Sequence, residues 1–149
     1  MASSSSSSGA ASNEDSSTRT TGVRGGHELD EAALKAYLDR RSGEIPGYVV
    51  GSALSLKQFN AGQSNPTYLL TATPPAFLPH RGHLGEATEP RKFVLRKRPR
   101  DVKVASAHAV DREFAVLRAL YDTPVPVPAV YVLCLDESVL GASFYLVSE

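Results

Sequence analysis

The feature of this chain that most constrains its fold is the order in which its hydrophobic periods change, with breaks near Pro46, Pro99 and Pro124. Before Pro46 the apolar residues recur at helical spacing. Leu34, Tyr37 and Leu38 share one side of a segment predicted to be helical to about Arg41, with Asp30 as the cap and Leu29 and Leu34 placed for a hydrophobic staple. After the Pro46-Gly47 turn, Leu54 and Leu56 alternate with Ser55 and Lys57 up to Phe59. A polar, Gly-containing turn leads into Thr67 to Thr73, and the two segments read as strands joined by a tight loop. Pro74 to Pro90, with four prolines and no period, reads as a surface loop. Phe93 to Arg98 is a third short strand, closed by Pro99. From about Ala105 to Tyr121, Val110, Phe114, Leu117, Leu120 and Tyr121 recur at intervals of three and four, the stripe of a helix laid on a sheet. Pro124, Pro126 and Pro128 end that helix. Ala129 to Leu135 and Ser143 to Val147 supply two more strands around an Asp136-Glu137-Ser138 turn and Gly141. Without βαβ alternation, this order predicts an α+β domain: a five-stranded, mainly antiparallel sheet from Leu54 to Val147, one long helix packed on it, and an N-terminal helix.

The 149 residues, 42% of them apolar, suffice for one core, and a net charge of zero gives no global attraction to nucleic acid or an anionic membrane. No window approaches the ~20 apolar residues that cross a bilayer, and serines stand where a secretory signal needs an apolar stretch. Residues 1–26 are mostly Ser, Thr, Ala and Gly, too poor in large apolar groups to offset the entropy of ordering, so a disordered tail is expected there ahead of a domain over residues 27–149. The single cysteine, Cys134, sits in an apolar stretch as a buried thiol without a disulfide partner. That suits an intracellular, reducing compartment, with cytoplasm, peroxisome and mitochondrion left open. The chain ends on Phe144-Tyr145-Leu146-Val147-Ser148-Glu149 with no turn or cap after it, so it is expected to stop in mid-structure and to leave a sheet margin exposed.

Three segments carry candidate chemistry. Asn60-Ala61-Gly62-Gln63-Ser64-Asn65 lies at a hairpin tip, where glycine allows backbone to approach a ligand and successive amides can point at phosphate oxygens; an ordinary turn is the bland alternative. On Phe93 to Arg98 the side chains alternate. Val94, Arg96 and Arg98 share one face, and Phe93, Leu95 and Lys97 share the other. Arg91 to Lys103 holds seven basic residues against one acid, read for the run as a whole as solvated surface rather than a nucleic-acid patch. Glu113 lies beside the apolar stripe of its helix, within reach of a strand cation.

In this order, Phe59-x-x-Gly62-x-Ser64-Asn65-Pro66-Thr67-Tyr68, Phe93-Val94-Leu95-Arg96-Lys97, Ala107-His108-Ala109-Val110-Asp111-Arg112-Glu113-Phe114, Val125-Pro126-Val127-Pro128 and Gly141-x-x-Phe144-Tyr145 resemble the N-terminal lobe of the aminoglycoside phosphotransferase and choline kinase branch of the protein-kinase-like fold. The resemblance is strongest to the kinase-like domain of acyl-CoA dehydrogenase family members ten and eleven, and it covers about Leu29 to Glu149. It implies ATP as cofactor. The phosphate-covering loop falls on Gly62, Gln63, Ser64 and Asn65, and the nucleotide-binding strand on Val94 and Arg96. Glu113 is the carboxylate that holds the strand cation, and the adenine-binding hinge begins at Ser148 and Glu149. Lys97 is the alternative cation, on the opposite face.

The resemblance also implies what lies elsewhere. In this family a second, C-terminal lobe brings the catalytic Asp and the magnesium ligands, so no catalytic or metal residue is assigned to this chain, which is expected to be inactive alone. The parent is then an ATP-dependent phosphotransferase acting on a hydroxy acid or hydroxyacyl-CoA in fatty-acid oxidation. Its partners are a nucleotide and the C-terminal lobe, without nucleic acid or membrane. A non-catalytic module that binds a nucleotide or a partner is the rival reading.

Overall fold

A computed structural model describes residues 19–60, 65–76, 89–100 and 109–149. Most of the Ser-rich tail, the tip of the first hairpin with Gly62, Gln63 and Ser64, the centre of the proline-rich loop and the residues ahead of the long helix lie outside the described residues.

Among the described residues ten short elements follow one another: β1 (Thr20–Thr21), α1 (Glu31–Arg40), a 3-10 turn (Ser42–Glu44), β2 (Ala53–Phe59), β3 (Thr67–Thr73), β4 (Arg91–Lys97), α2 (Val110–Tyr121), β5 (Val130–Cys134), α3 (Glu137–Leu140) and β6 (Phe144–Ser148). The strands form one antiparallel sheet in the order β1-β2-β3-β4-β6-β5.

Two expectations are corrected. The sheet has six strands rather than five, because Thr20 and Thr21, assigned to the disordered tail, pair with Phe59 and Gln58 along the edge of β2. The Arg24 amide also donates to Gln58 Oε1 at 3.0 Å. A free sheet edge offers unpaired backbone groups, and two β-branched residues suffice to satisfy some of them. Nor is the last strand a margin. β6 is inserted between β4 and β5 and is hydrogen-bonded on both sides.

Helix α1 begins where its cap predicts, with Asp30 Oδ1 accepting from the Ala33 amide at 2.9 Å. Its buried residues Leu34, Tyr37 and Leu38 pack on one face of the sheet with Leu70, Leu95, Phe144 and Leu146. The Tyr37 ring meets Phe144 edge-on at 5.4 Å. The sheet is therefore covered twice, with α1 over this larger core and α2 over a smaller cluster of Val110, Phe114, Tyr145 and Val147 on the other face. Short α3 replaces the expected turn. Asp136 caps it through the Ser138 amide at 2.9 Å, and Gly141 ends it at φ +75°, a left-handed conformation that glycine reaches without strain. Among the described residues no helix is long and apolar enough to cross a membrane.

Tyrosine hydroxyls are carried into both cores. Burial pushes the phenols of Tyr37, Tyr68 and Tyr145 from 10.0 up to about 12. Burial also raises Tyr48, reinforced by its 2.8 Å hydrogen bond to Asp39 Oδ1. The unfolded chain releases these protons near pH 10 while the folded one keeps them, so the folded state binds more protons and stability falls as pH rises through this window. Lys97 acts in the opposite sense, since burial lowers its pKa, but it is one group against four. Urea midpoints across the alkaline range are expected to fall between about pH 10 and about pH 12, and a midpoint unchanged there would show these phenols to be solvated.

Candidate functional site

Register brings the candidate site together. In the three central strands Arg96 of β4 stands opposite Thr67 of β3 on one side and Tyr145 of β6 on the other, so the three side chains share a face. Helix α2 crosses that face. Val110, Glu113, Phe114 and Leu117 recur at i, i+3, i+4 and i+7, and burial of Val110 and Phe114 against β6 turns the Glu113 carboxylate toward the sheet. The Phe114 ring lies 6.0 Å from that of Tyr145.

Glu113 is the hub. Arg96 Nη2 donates to its Oε1 at 3.2 Å, and Arg96 Nε lies 2.7 Å from Oε2 as an ion contact without the alignment of a hydrogen bond. Asn65 Nδ2 donates to Oε1 at 3.1 Å, and the Tyr145 hydroxyl to Oε2 at 3.2 Å. Both charged side chains keep about a third of their surface, at 31% for Arg96 and 34% for Glu113, so solvent screens the pair. Beside them an apolar groove of about 450 Å³ is lined by Arg112, Glu113, Val116, Leu117 and Tyr145. Among the described residues no three His, Cys, Asp or Glu side chains gather as metal ligands would.

The strand cation and the helix carboxylate meet as expected, and Val94 packs against the α2 cluster. Ser148 and Glu149 lie at the other end of β6, about 10 Å along the strand from Tyr145. The Ser148 hydroxyl accepts from the Ala129 amide at 3.0 Å, and Glu149 Oε2 lies 3.8 Å from Lys92 Nζ.

Asn65, assigned with Gly62, Gln63 and Ser64 to the phosphate-covering loop, is instead buried at 1% exposure with its amide on Glu113. Because an ionised carboxylate only accepts, the Asn65 nitrogen must face it, which leaves Oδ1 buried without a hydrogen-bond partner. The ladder explains the position: the Lys97 amide donates to Pro66 O at 3.0 Å, drawing the residue before Pro66 under α2.

The basic run is not uniformly solvated surface. Arg91 and Lys92 are exposed, Arg98 pairs with Glu137 at 2.6 Å, and Lys97 is buried on the α1 side, away from Glu113. Tyr145 and Thr67 were not singled out as site residues. Their only signal is the pairing register with Arg96.

The model of the phosphotransferase enzyme family (APH) matches residues 55–149, most of the chain and all of the site. The chain belongs to this family. A solved structure from Ralstonia eutropha, named provisionally as an aminoglycoside phosphotransferase, is 33% identical with a TM-score of 0.56 over 82% of this chain and 28% of its own. IBR3 of Arabidopsis thaliana, whose name places it with the acyl-CoA dehydrogenases, is 38% identical over 85% of this chain. Acyl-CoA dehydrogenase family member 11 of Gallus gallus is 38% identical over 87%. The chain spans 14% of the length of each of these two relatives. Family membership and the structural neighbour together make the kinase-like fold a finding.

The hub predicts unequal and coupled losses. Tyr145→Phe removes one of the groups donating to Glu113 and is expected to cost about 1 kcal/mol in urea unfolding. Glu113→Ala strands Arg96, Asn65 Nδ2 and the Tyr145 hydroxyl together and is expected to cost about 2 kcal/mol, discounted for the exposed flank of the pair. The double variant should lose less than the sum, and strict additivity would show that the tyrosine does not act through Glu113.

Proposed function

We propose that the Arg96–Glu113 pair is the phosphate-holding element of an ATP-dependent small-molecule phosphotransferase. The observation that carries the reading is the pairing itself: a strand cation fixed by a helix carboxylate on a sheet face. The donor set of Arg96 fits a phosphate. Glu113 engages the Nε and Nη2 side of the guanidinium, while Nη1 reaches Thr67 Oγ1 only at 3.5 Å, leaving donors for anionic oxygens. Tyr145 and Asn65 hold Glu113 from the remaining sides, so the carboxylate orients the guanidinium. The adenine moiety is assigned to the far end of β6, at Ser148 and Glu149, and Val94 lies between the two on β4. The loop Gly62, Gln63 and Ser64 would cover the phosphates. When bound, ATP supplies the phosphoryl group; the residues here bind and orient.

The acceptor-binding lobe, the catalytic base and the magnesium ligands are proposed to come from a C-terminal lobe, which the small share of its relatives spanned by this chain supports. The names of the curated relatives favour a hydroxy acid or hydroxyacyl-CoA acceptor in fatty-acid oxidation over an aminoglycoside.

The 149-residue chain is expected to bind ATP weakly and to show no turnover. A chain extended through the second lobe is expected to phosphorylate 4-hydroxyacyl-CoA and not an aminoglycoside. Arg96→Met should weaken ATP binding by about tenfold or more, equivalent to ~1.4 kcal/mol. Robust turnover by the short chain would refute the two-lobe reading. Unchanged ATP affinity in Arg96→Met would remove the cation from the site.

A further inference from the structure

On the face of the sheet opposite Glu113, a polar cavity of about 410 Å³ opens between the Gly26-His27 segment and the end of β4. Its side chains include His27, Tyr68, Lys97 and Arg100. Lys97 is only 5% exposed, yet its side-chain ammonium makes no ion pair or hydrogen bond among the described residues. Its Nζ is not a fully buried atom, so the stem is buried while the charged end keeps some contact with solvent, and desolvating even part of an ammonium is costly unless an opposite charge offsets it. The charge that acts on it is instead a second cation: burial, then Arg100, pushes the Lys97 pKa down. Arg100 spends one donor on Leu140 O at 3.3 Å and also lacks an acidic partner. The acid near the mouth, Glu28, is exposed and accepts from the Gly26 amide at 2.8 Å.

Of the remaining side chains in the lining, His27 keeps a donor. Gln58 Oε1 accepts from the Arg24 amide at 3.0 Å, so its Nε2 donates to His27 Nδ1, also at 3.0 Å. In the neutral imidazole the proton then sits on Nε2, which remains as a donor. The Tyr68 hydroxyl donates to His27 O at 2.8 Å and holds that segment against the sheet.

We propose that this cavity binds a small phosphomonoester, its phosphate between Lys97 and Arg100 and its organic part in the remaining volume. Two cations and an imidazole donor match a dianion better than a single carboxylate, and the volume falls in the range of small-molecule pockets. The site stands independently of the nucleotide reading. β4 sends Arg96 and Lys97 to opposite faces, so the two sites can be lost separately.

The test is calorimetric titration of the full chain, in a phosphate-free buffer, with glycerol 3-phosphate, inorganic phosphate and glycerol. Glycerol 3-phosphate is expected to bind in a salt-sensitive manner and more tightly than inorganic phosphate, and glycerol not at all. Lys97→Met should raise the melting temperature without ligand, because it removes a partly desolvated charge that no acid offsets, and should lower the affinity for glycerol 3-phosphate at least tenfold. Arg100→Gln alters an exposed side chain, keeps the fold and should lower the affinity by a similar factor. It decides the matter if the core variant does not fold. Arg96→Met should leave this binding unchanged. The proposal is overturned by absence of glycerol 3-phosphate binding at millimolar concentration, by full affinity in Arg100→Gln, by preference for inorganic phosphate, or by loss of binding in Arg96→Met.

Discussion

Everything in this domain depends on β4 being a strand with both faces covered by helices, one fully and one in part. Its alternation sends Phe93, Leu95 and Lys97 toward α1 and Val94 and Arg96 toward α2, and no register shift can serve one side without emptying the other. The larger core fixes the strand through Leu95 and Phe93, among the most buried residues of the chain. Arg96 is thus presented to Glu113 by packing on the far side of the sheet, and the ion pair need not hold the fold together. That division suits a binding group, because a partly exposed ion pair is too weak to position itself.

What was legible in the sequence was local. Asp30 as cap, the α1 stripe, the two faces of β4 and the inward position of Glu113 follow from spacing over a few residues, and the structure has each of them. The antiparallel sheet followed from the absence of βαβ alternation. What was not legible depends on residues distant in the chain. Strand β1 is two threonines in a polar stretch, visible only once the edge of β2 is known to be free. The inserted position of β6 is a matter of topology, and periodicity does not encode which neighbours a strand chooses. Tyr145 becomes a site residue only through its pairing with Arg96, and Asn65 leaves the loop only because the β3–β4 ladder extends to Pro66. A net charge taken over Arg91 to Lys103 averages residues whose described members, from exposed Arg91 to buried Lys97, occupy different environments, so it reads as solvated surface for the run as a whole.

The left-handed turn at Gly141 has a consequence beyond ending α3. A Cβ built there would lie 2.8 Å from Arg100 Nε and 3.1 Å from Nη2, on top of a backbone angle that resists any side chain. The bare turn is thus a seat on which the guanidinium rests, with Leu140 O as its anchor. The position of Arg100 is made possible by the missing methyl of a residue forty-one positions away in sequence. Position 141 is in effect a shim: thickening it would press on the guanidinium and strain the turn that leads into β6.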